Sequence, residues 1–212
     1  MSGAALAEDT ALGNLSLRNE PVQARSAARL AGLLDAAAAV IDELGYERLT
    51  TAMVAERAGA SIGTVYRYFP DRIAVLQALG ARNLDRVLSR VAEEMTGSHE
   101  NALAAVRTGF EVLVLAFREE PGYRSLRVGD VIDLRPAPVE TTYNSTLALA
   151  LRDSIASRFG IAKTDETAFA FEAAVEAFDA LAARAFSRDA RGEQKFLDAG
   201  FSTVEAILAP VL

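Results

Sequence analysis

The sequence predicts an all-α protein, and three observations support this fold class. Half of the 212 residues are apolar (51%), only 7% are aromatic, and Ala and Leu are abundant, which is typical of packed helices. Apolar residues recur at steps of three and four through several long segments, as they do on one face of a helix. Glycine, proline and helix-capping residues separate these segments. The chain is long enough for one large domain or two small ones.

The first helix is predicted from about Val22 to Leu44, after an N-terminal arm. Residues 1–20 are small and polar without apolar periodicity, so we expect them to be mobile. The arm contains a single Arg, Arg18, which is too little positive charge to favour a minor-groove contact. Gly45 suits the C-cap of the helix. The apolar face of the helix comprises Leu30, Leu33, Leu34, Ala37, Val40, Ile41 and Leu44.

Two short helices around a tight turn are predicted within residues 50–72. Thr50 or Thr51 can cap the first helix, and Gly59 tolerates the positive φ that the turn requires. Ser61 can cap the second helix. This arrangement is typical of a helix-turn-helix, in which the second helix enters the major groove of DNA.

The second short helix carries a run of polar aromatic residues. Val65 and Phe69 lie four residues apart and are expected to face inward. The residues left pointing partly or wholly outward are Thr64, Arg67 and Tyr68, with Tyr66 at the edge. An exposed Tyr-Arg-Tyr run on so short a helix is poorly suited to a core and well suited to DNA contact. The alternative is that these aromatic rings only pack on the surface of the head.

Five further helices are predicted after the helix-turn-helix. Asp71 can cap the first of them, and Gly160 suits the end of the third. A short helical turn near Tyr123 to Arg127, inside an irregular stretch 121–137, brings the total to about nine. The five helices are Arg72–Met95, His99–Glu119, Pro138–Phe159, Asp165–Ser187 and Glu193 to about Leu208.

These helices predict three regions along the chain. Residues 1–20 are the flexible arm, 21–71 the helix-turn-helix DNA-binding domain, and 72–212 the helical ligand-binding and dimerisation domain. The boundary between the last two falls in the long helix after Asp71, without a linker. Because both domains share this helix, movement of one can reach the other.

The charge is unevenly distributed along the chain. The net charge is −7, yet residues 16–90 contain ten Arg and only eight acidic residues. Residues 91–212 contain twelve basic and nineteen acidic residues. Such an asymmetry indicates that one part of the chain contacts a polyanion and the other does not.

Several classes of protein are disfavoured by composition. The chain has no Cys for disulfides or thiolate metal ligands, and its single His, His99, lacks the partners of a metal site. No apolar run approaches the roughly 18 residues of a membrane-spanning helix, and the N-terminus does not resemble a secretory signal. We therefore expect a cytoplasmic protein without metal, cofactor or membrane contact.

One motif points to a different chemistry. Residues 59–63 read G-x-S-x-G, the nucleophile elbow of hydrolases, which requires a preceding β-strand and a His elsewhere. The preceding segment is predicted to be helical, and His99 lies in a polar connection. A capping role for Ser61 explains the same residues, so we predict no catalytic site and no enzymatic activity.

A set of short motifs between about residues 25 and 75 resembles those of a known family. They are Leu49-Thr50-Thr51, Val54-Ala55, Ala58-Gly59, Ser61, Gly63-Thr64, Val65-Tyr66, Tyr68-Phe69 and Arg72. This pattern is similar to that of the TetR family of transcriptional regulators. The resemblance implies a three-helix DNA-binding head, an all-helical ligand-binding body, and a homodimer that usually represses until a small molecule binds. The body is similar only in its pattern of helices, so no ligand identity carries over.

The resemblance also implies which residues contact DNA. Residues 61–64 correspond to the part of the recognition helix that meets base edges, and Gly63 allows close approach of the backbone. Tyr66 corresponds to an aromatic residue whose hydroxyl reaches a phosphate, and Arg72 to a basic residue that holds the DNA backbone. Arg67 can pair with guanine. The predicted DNA-binding residues are Thr50, Thr51, Ser61, Ile62, Gly63, Thr64, Tyr66, Arg67, Tyr68 and Arg72.

A ligand pocket is predicted in the body from aromatic residues and a few polar ones. Its candidate residues are Phe110, Phe117, Tyr123, Leu126, Tyr143, Asn144, Phe171 and Glu172, and the alternative for each Phe is an ordinary core position. Glu172 and Glu176, one turn apart, suit either a cationic or hydroxylated ligand or a solvated face. An anionic ligand is a further alternative to surface ion pairs among Arg124, Arg127, Arg135, Asp130 and Asp133.

The last two helices are apolar on more than one face, which predicts a homodimer through them. We therefore expect a dimeric regulator that binds a palindromic operator in double-stranded DNA, with its recognition helices about 34 Å apart. A small-molecule effector in the body is expected to tilt the long fourth helix and release the DNA. The alternative is a small-molecule-binding helical protein with a weak or non-specific DNA-binding head.

Overall fold

The computed structural model describes residues 8–124, 126 and 142–212, with side chains described from residue 23 onward. This part of the chain contains eight α-helices and no β-strand, which confirms the predicted fold class. Single 3₁₀ turns lie at Tyr46–Arg48 and Ala209–Val211. The helices are α1 (Glu8–Leu44), α2 (Thr51–Arg57), α3 (Ile62–Tyr68), α4 (Arg72–Glu94), α5 (Ala102–Glu119), α6 (Tyr143–Phe159), α7 (Asp165–Phe186) and α8 (Gln194–Leu208).

Side-chain caps begin the helices of the head. Thr50, Ser61 and Asp71 accept hydrogen bonds from backbone N–H groups three residues later, at the N-termini of α2, α3 and α4. Each cap satisfies a donor that the first turn of a helix leaves without an intrahelical partner. Gly59 has a φ of +58° in the turn between α2 and α3, where an L side chain is disfavoured. The predicted caps and turn are therefore confirmed.

The starts of α1 and α5 differ from the prediction. The helix α1 begins at Glu8, well before Val22, in a stretch that lacks apolar periodicity. The mobility predicted for residues 1–20 stays a prediction. The helix α5 begins at Ala102, because Asn101 accepts the N–H of Ala104 and acts as the cap. The single His, His99, consequently lies in the connection before α5, where it is half-buried.

The region between α5 and α6 can be compared with the prediction only in part. Residues 121–124 form a turn, and the N–H of Leu126 donates to the carbonyl of Gly122 at 2.8 Å. The predicted turn near Tyr123 to Arg127 therefore begins as expected. Position 127 and Pro138 itself lie outside the described residues. The helix α6 begins only at Tyr143, because Thr142 has extended backbone and its side chain accepts the N–H of Ser145 as the cap, so the predicted start at Pro138 is wrong.

Buried apolar side chains form two clusters. The head cluster consists of Leu33, Leu34, Ala36, Ala37, Ala38, Val40, Ile41, Leu49, Val54, Ala55, Val65, Phe69, Val75, Leu76, Leu79 and Leu126. The body cluster contains most of the buried apolar residues of α5 to α8, together with Val87, Val91, Met95 and Tyr123. The helix α4 therefore contributes its first half to one core and its second half to the other. This shared helix therefore connects head and body.

The chain segment that follows α5 also packs on the head. The backbone N–H of Gly122 donates to Asp42 of α1 at 3.3 Å, and Arg124 lies 3.8 Å from the same carboxylate. Leu126 is buried in the head cluster. Residues 120–124 and 126, called the post-α5 segment below, therefore connect the body to α1.

Ion pairs reinforce the same junction. Arg82 of α4 donates to Asp35 of α1 at 2.7 Å, and Arg86 of α4 donates to Glu120 at 2.7 Å. The partly exposed pair between Arg86 and Glu120 contributes only modestly to stability. The first pair connects α4 to α1, and the second connects α4 to the post-α5 segment.

Candidate DNA interface and effector site

The helix α3 presents a largely exposed face beside a buried anchor. Val65 is fully buried and Phe69 is 3% exposed, as predicted, and both belong to the head cluster. Tyr66 is 53% exposed and Arg67 is exposed, whereas Tyr68 is half-buried. The expectation placed Tyr66 at the edge and Tyr68 further out, and the structure reverses their order. Tyr66 and Arg67 are therefore the residues of this run that are most open to a partner.

The N-terminal turn of α3 is also open. Ser61, Ile62 and Gly63 are exposed, with Ile62 at 43%, and Thr64 is half-buried. A Cβ on Gly63 would have only the Ser61 hydroxyl near it, at 3.9 Å. The packing of the protein therefore does not require glycine at this position, although glycine in a helix costs roughly 0.5–1 kcal/mol relative to alanine.

Tyr68 packs towards α1. Its hydroxyl lies 3.1 Å from the Ser26 hydroxyl, and the Arg67 guanidinium lies 5.7 Å from the centre of its ring. An open groove of about 770 Å³ runs between these residues and α1. Three arginines, Arg25, Arg29 and Arg67, line this groove.

Arg25 and Arg29 are candidate functional residues that the sequence reasoning missed. They lie four residues apart and therefore on one face of α1. That spacing was visible in the sequence, but nothing in the sequence showed that the face lies beside α3.

In contrast, Arg57 is held by the carboxylate of Glu43 at 2.6 and 2.9 Å, and its guanidinium lowers the pKa of Glu43.

Other predicted DNA-binding residues already make contacts within the head. The Thr50 side chain accepts from Met53 N–H, and Thr51 donates to the Tyr66 hydroxyl at 3.4 Å. Arg72 donates to the Glu47 carbonyl at 2.8 Å and is half-buried. The ten predicted residues thus lie at α3 or at the N-termini of α2 and α4. DNA contact by these residues stays a prediction.

The predicted effector pocket coincides in part with an aromatic group in the body core. The ring of Phe117 lies 5.1 Å from Tyr123 and 5.2 Å from Phe186, and Phe110 lies 4.9 Å from Phe178. The five predicted aromatic residues Phe110, Phe117, Tyr123, Tyr143 and Phe171 are all buried in the body cluster.

The other predicted pocket residues are placed elsewhere. Leu126 packs in the head cluster, Glu172 is exposed on α7, and Asn144 is half-buried at the start of α6. Glu176 is exposed as well, which favours the solvated face. Of the residues considered for an anionic ligand, Arg124 pairs with Asp42, and Arg127, Asp130, Asp133 and Arg135 lie outside the described residues.

Two tyrosines form a buried polar contact inside this aromatic group. The hydroxyls of Tyr123 and Tyr143 lie 2.8 Å apart, and both side chains are at least nine-tenths buried. Burial raises the pKa of Tyr143 to about 12 and raises the pKa of Tyr123 well above its ordinary value. The pair therefore stays neutral at physiological pH. It joins the post-α5 segment to the first turn of α6.

The body also has two shallow clefts between α5 and α8, of about 190 and 320 Å³. Arg107 and Phe201 line both clefts, and the Arg107 guanidinium lies 4.5 Å from the centre of the Phe201 ring. Neither cleft is lined by a residue of the predicted pocket. The location of the effector site therefore stays a prediction.

The motif G-x-S-x-G has a structural role here. Its Ser61 caps α3, accepting the N–H of Thr64 at 3.2 Å and lying 2.9 Å from the Thr64 hydroxyl. The element before it is the helix α2, whereas a nucleophile elbow follows a β-strand. The residues are thus used as a turn and a helix cap.

The fold and the exposed face of α3 define a helix-turn-helix protein with a helical body. Residues 33–79 match the model described as bacterial regulatory proteins, tetR family, and residues 100–210 match the tetracyclin repressor-like C-terminal domain. The second match alone covers about half of the chain. The chain belongs to the TetR family of bacterial regulatory proteins, as the sequence motifs had indicated.

Individual relatives are similar over parts of the chain. The HTH-type transcriptional repressor KstR of Rhodococcus jostii is 43% identical over 58 residues, which are 27% of each chain. The HTH-type transcriptional regulator BetI of Escherichia coli is 36% identical over 81 residues, 36% of this chain and 42% of BetI. The chain therefore matches less than half of the length of these curated relatives.

A solved structure is similar over nearly its whole length. The TetR-family transcriptional regulator from Streptomyces coelicolor superimposes with a TM-score of 0.74 at 31% sequence identity. The match covers 88% of this chain and 99% of that one. Both the head and the body therefore have counterparts in a known regulator structure.

Proposed function

We propose that this protein is a ligand-responsive transcriptional repressor that binds a palindromic operator as a homodimer. The observation that carries the proposal is the exposed face of α3, with Tyr66 and Arg67 outward and Val65 anchoring the helix. A helix held in this way can enter a major groove without unfolding the head. The glycine at position 63, which the packing does not require, removes a side chain where the backbone would approach base edges.

Arginines beside α3 supply the charge that DNA binding needs. Arg25 and Arg29 line the groove next to Arg67, and each can neutralise a phosphate. The free N–H groups at the N-termini of α2 and α4 favour phosphate as well. Together these groups position the head, while Ile62, Thr64 and Arg67 read the bases. The net acidity of the whole chain does not oppose this, because the acidic excess lies in the body.

Dimerisation is proposed through the outward faces of α7 and α8. Phe169 of α7 is 74% exposed, which is unusual for so large an apolar side chain. The exposed faces of the two helices also carry small residues, among them Ala180, Ala199 and Ala206. Small side chains permit close packing against a second copy, and the two-fold axis would pair two heads with two operator half-sites.

Release by an effector is proposed to act through α4 and the post-α5 segment. Both elements contact the head and the body, so a change in the body core alters the spacing of the two heads. The effector must bind the conformation with the non-DNA-binding spacing more tightly, because equal affinity for both conformations does not change their populations.

No enzymatic step is part of this function. Because its partner is bacterial DNA, we place the protein in the cytoplasm.

Selection of binding sites from random DNA duplexes at near-physiological salt tests the proposal. We expect enrichment of one palindrome whose half-sites are about 34 Å apart, one turn of DNA. Binding that depends on salt but enriches no sequence would instead indicate a helical ligand-binding protein with a non-specific head.

Substitution of Phe169 tests the dimer interface. We expect Phe169→Glu to shift the protein towards monomer in analytical ultracentrifugation, because the change buries a charge at the proposed interface. Leu149→Glu on α6 is the matched control, since Leu149 is also exposed (39%) but is on neither helix of the proposed interface. If Phe169→Glu forms dimers as readily as Leu149→Glu does, the interface does not include Phe169.

A further inference from the structure

The open groove of about 770 Å³ between α1 and α3 has two kinds of lining. Its polar lining consists of Arg25, Ser26, Arg29, Arg67 and Tyr68. Its apolar lining consists of Ala28, Gly32, Leu33 and Ala58. Contact with DNA phosphates needs only polar and charged groups at a surface. A concave site of this volume with a partly apolar lining is more typical of a small-molecule site.

The charge of the groove is not neutralised within the described part of the chain. Arg57, elsewhere in the head, is held by Glu43. In contrast, no acidic side chain of the described residues forms an ion pair with Arg25, Arg29 or Arg67. An anion can therefore bind in the groove without displacing an internal carboxylate.

Gly32 keeps space free on the α1 side of the groove. It lies inside the helix, and a Cβ added there would meet no atom within 4 Å. The helix can therefore accept a larger residue at this position, and glycine is the less stable choice inside a helix. A larger side chain at position 32 would fill part of the groove and leave the arginines unchanged.

We propose that this groove binds an apolar molecule carrying a phosphate ester, which competes with the operator for the same arginines. A phosphate monoester has three terminal oxygens and a charge of about −1.5 to −2, so it can accept from several guanidinium donors at once. The hydroxyls of Ser26 and Tyr68, 3.1 Å apart, add further donors. The apolar part of the molecule contacts the surface around Gly32. The competition rests on the proposed function, because it requires operator binding to use Arg67.

The first test compares three probes by isothermal titration calorimetry in a phosphate-free buffer. The probes are 1-naphthyl phosphate, inorganic phosphate and 1-naphthol. We expect 1-naphthyl phosphate to bind at least about ten-fold more tightly than either of the others, because only it offers both the charge and the apolar surface. Equal affinity for 1-naphthyl phosphate and inorganic phosphate would show a merely cationic surface and would overturn the proposal.

The second test separates a small molecule from the DNA backbone, because both carry phosphate. Gly32→Leu should weaken 1-naphthyl phosphate at least about ten-fold and bind the operator within about two-fold of the natural protein, because it fills space but keeps every charge. Arg29→Ala should weaken both. Arg48→Ala is the matched control, since Arg48 is exposed in the head but does not line the groove.

Circular dichroism and melting temperature check that each variant is folded. Unchanged probe affinity in Gly32→Leu or in Arg29→Ala would refute the site. Equal losses of probe and operator affinity in Gly32→Leu would assign the groove to the DNA backbone instead.

Competition at constant ionic strength separates this inference from the proposed function. We expect 1-naphthyl phosphate to release the selected palindrome from the natural protein at concentrations near its own Kd, and to fail with Gly32→Leu. If the natural protein enriches no palindrome, the proposed function fails, while the titrations still decide whether the groove is a phosphate-ester site. Probe binding that leaves the operator bound would contradict the competition.

Discussion

Tyr66 and Arg67 are neighbours that are expected to do different things at a DNA surface. Tyr66 has an exposed hydroxyl whose one contact in the head, with Thr51 at 3.4 Å, is long and weak. That hydroxyl is free to donate to a phosphate, which carries no sequence information. Arg67 has a planar group with several donors, which matches the two acceptors of guanine in the major groove.

We therefore predict that Tyr66→Phe weakens binding to the selected operator while preserving sequence preference. Loss of one hydrogen bond to a phosphate is expected to cost about 1.5–3 kcal/mol. Arg67→Ala is predicted to weaken binding and also to relax preference at one base pair, by about 1–3 kcal/mol of discrimination. Fluorescence anisotropy with the operator and single-base variants measures both effects.

Arg188→Ala provides the control for these variants, because it removes an exposed charge from the body after α7. It is expected to leave affinity nearly unchanged. Unaltered affinity and preference in both Tyr66→Phe and Arg67→Ala would show that α3 is not the recognition helix.

The buried Tyr123–Tyr143 pair gives a second prediction at the residue scale. Either single change to Phe leaves one hydroxyl unpaired in the core and is expected to cost about 1–3 kcal/mol of unfolding free energy. The double change removes both hydroxyls and should cost less than the sum of the single changes. A double-mutant cycle by urea denaturation measures the coupling, and additive losses would contradict it.

The same pair predicts a loss of stability at high pH. Below pH 10 both tyrosines are protonated in the folded and the unfolded chain, so the contribution of the pair is fully present. Between about pH 10 and 12 the unfolded chain loses these protons while burial keeps them in the folded chain. The unfolding free energy should therefore fall by about 1.4 kcal/mol per pH unit for each tyrosine. The double Phe variant should show a shallower decline over this range.

At the scale of elements, α3 depends on its cap more than the longer helices do. It has only seven residues, and an isolated helix this short is not stable in water. The Ser61 cap and the buried side chains of Val65 and Phe69 therefore hold it in place.

We predict that Ser61→Ala lowers stability by about 0.5–2 kcal/mol and weakens operator binding in the same variant. Asn101→Ala removes an equivalent cap from α5 in the body and is the matched control. It should lower stability to a similar degree and leave operator affinity unchanged. Thermal unfolding and anisotropy on both variants separate the two effects. Equal affinity of Ser61→Ala and Asn101→Ala would contradict a role of the cap in DNA binding.

At the scale of the whole molecule, the post-α5 segment connects the body to α1 with little free space. Gly122 has a φ of +75°, and a Cβ added there would lie 3.0 Å from the Ala38 carbonyl of α1. The same segment carries Tyr123, whose hydroxyl bonds Tyr143 in the body. The segment therefore contacts both the aromatic group of the body and α1.

Two glycine substitutions test this connection. Gly160 has a similar φ of +72°, but nothing lies within 4 Å of its added Cβ. Gly160→Ala should therefore lower the unfolding free energy by about 1–2 kcal/mol, which is the penalty for an L residue with left-handed backbone. Gly122→Ala should lower the unfolding free energy by about 1–3 kcal/mol more than Gly160→Ala does, because the added methyl group also strains the contact with α1. Only Gly122→Ala is expected to change operator affinity, and equal effects of both variants would refute the connection.

The sequence by itself determined the elements and the family of this protein. The caps at Thr50, Ser61 and Asp71 and the turn at Gly59 depend on residues within three or four positions of one another. Such local preferences can be read without knowing the fold, and the same holds for the inward direction of Val65 and Phe69 within a single helix. The motifs that carry the family resemblance are local for the same reason.

Contacts between residues distant in sequence were decided only by the tertiary structure. The groove that brings Arg25 and Arg29 beside Arg67, and the burial of Leu126 in the head cluster, join positions tens of residues apart. Periodicity shows which face of a helix is buried but not what that face meets. The open space beside Gly32 could likewise be recognised only once its surroundings were known, because the shape of a groove is a property of the packed molecule.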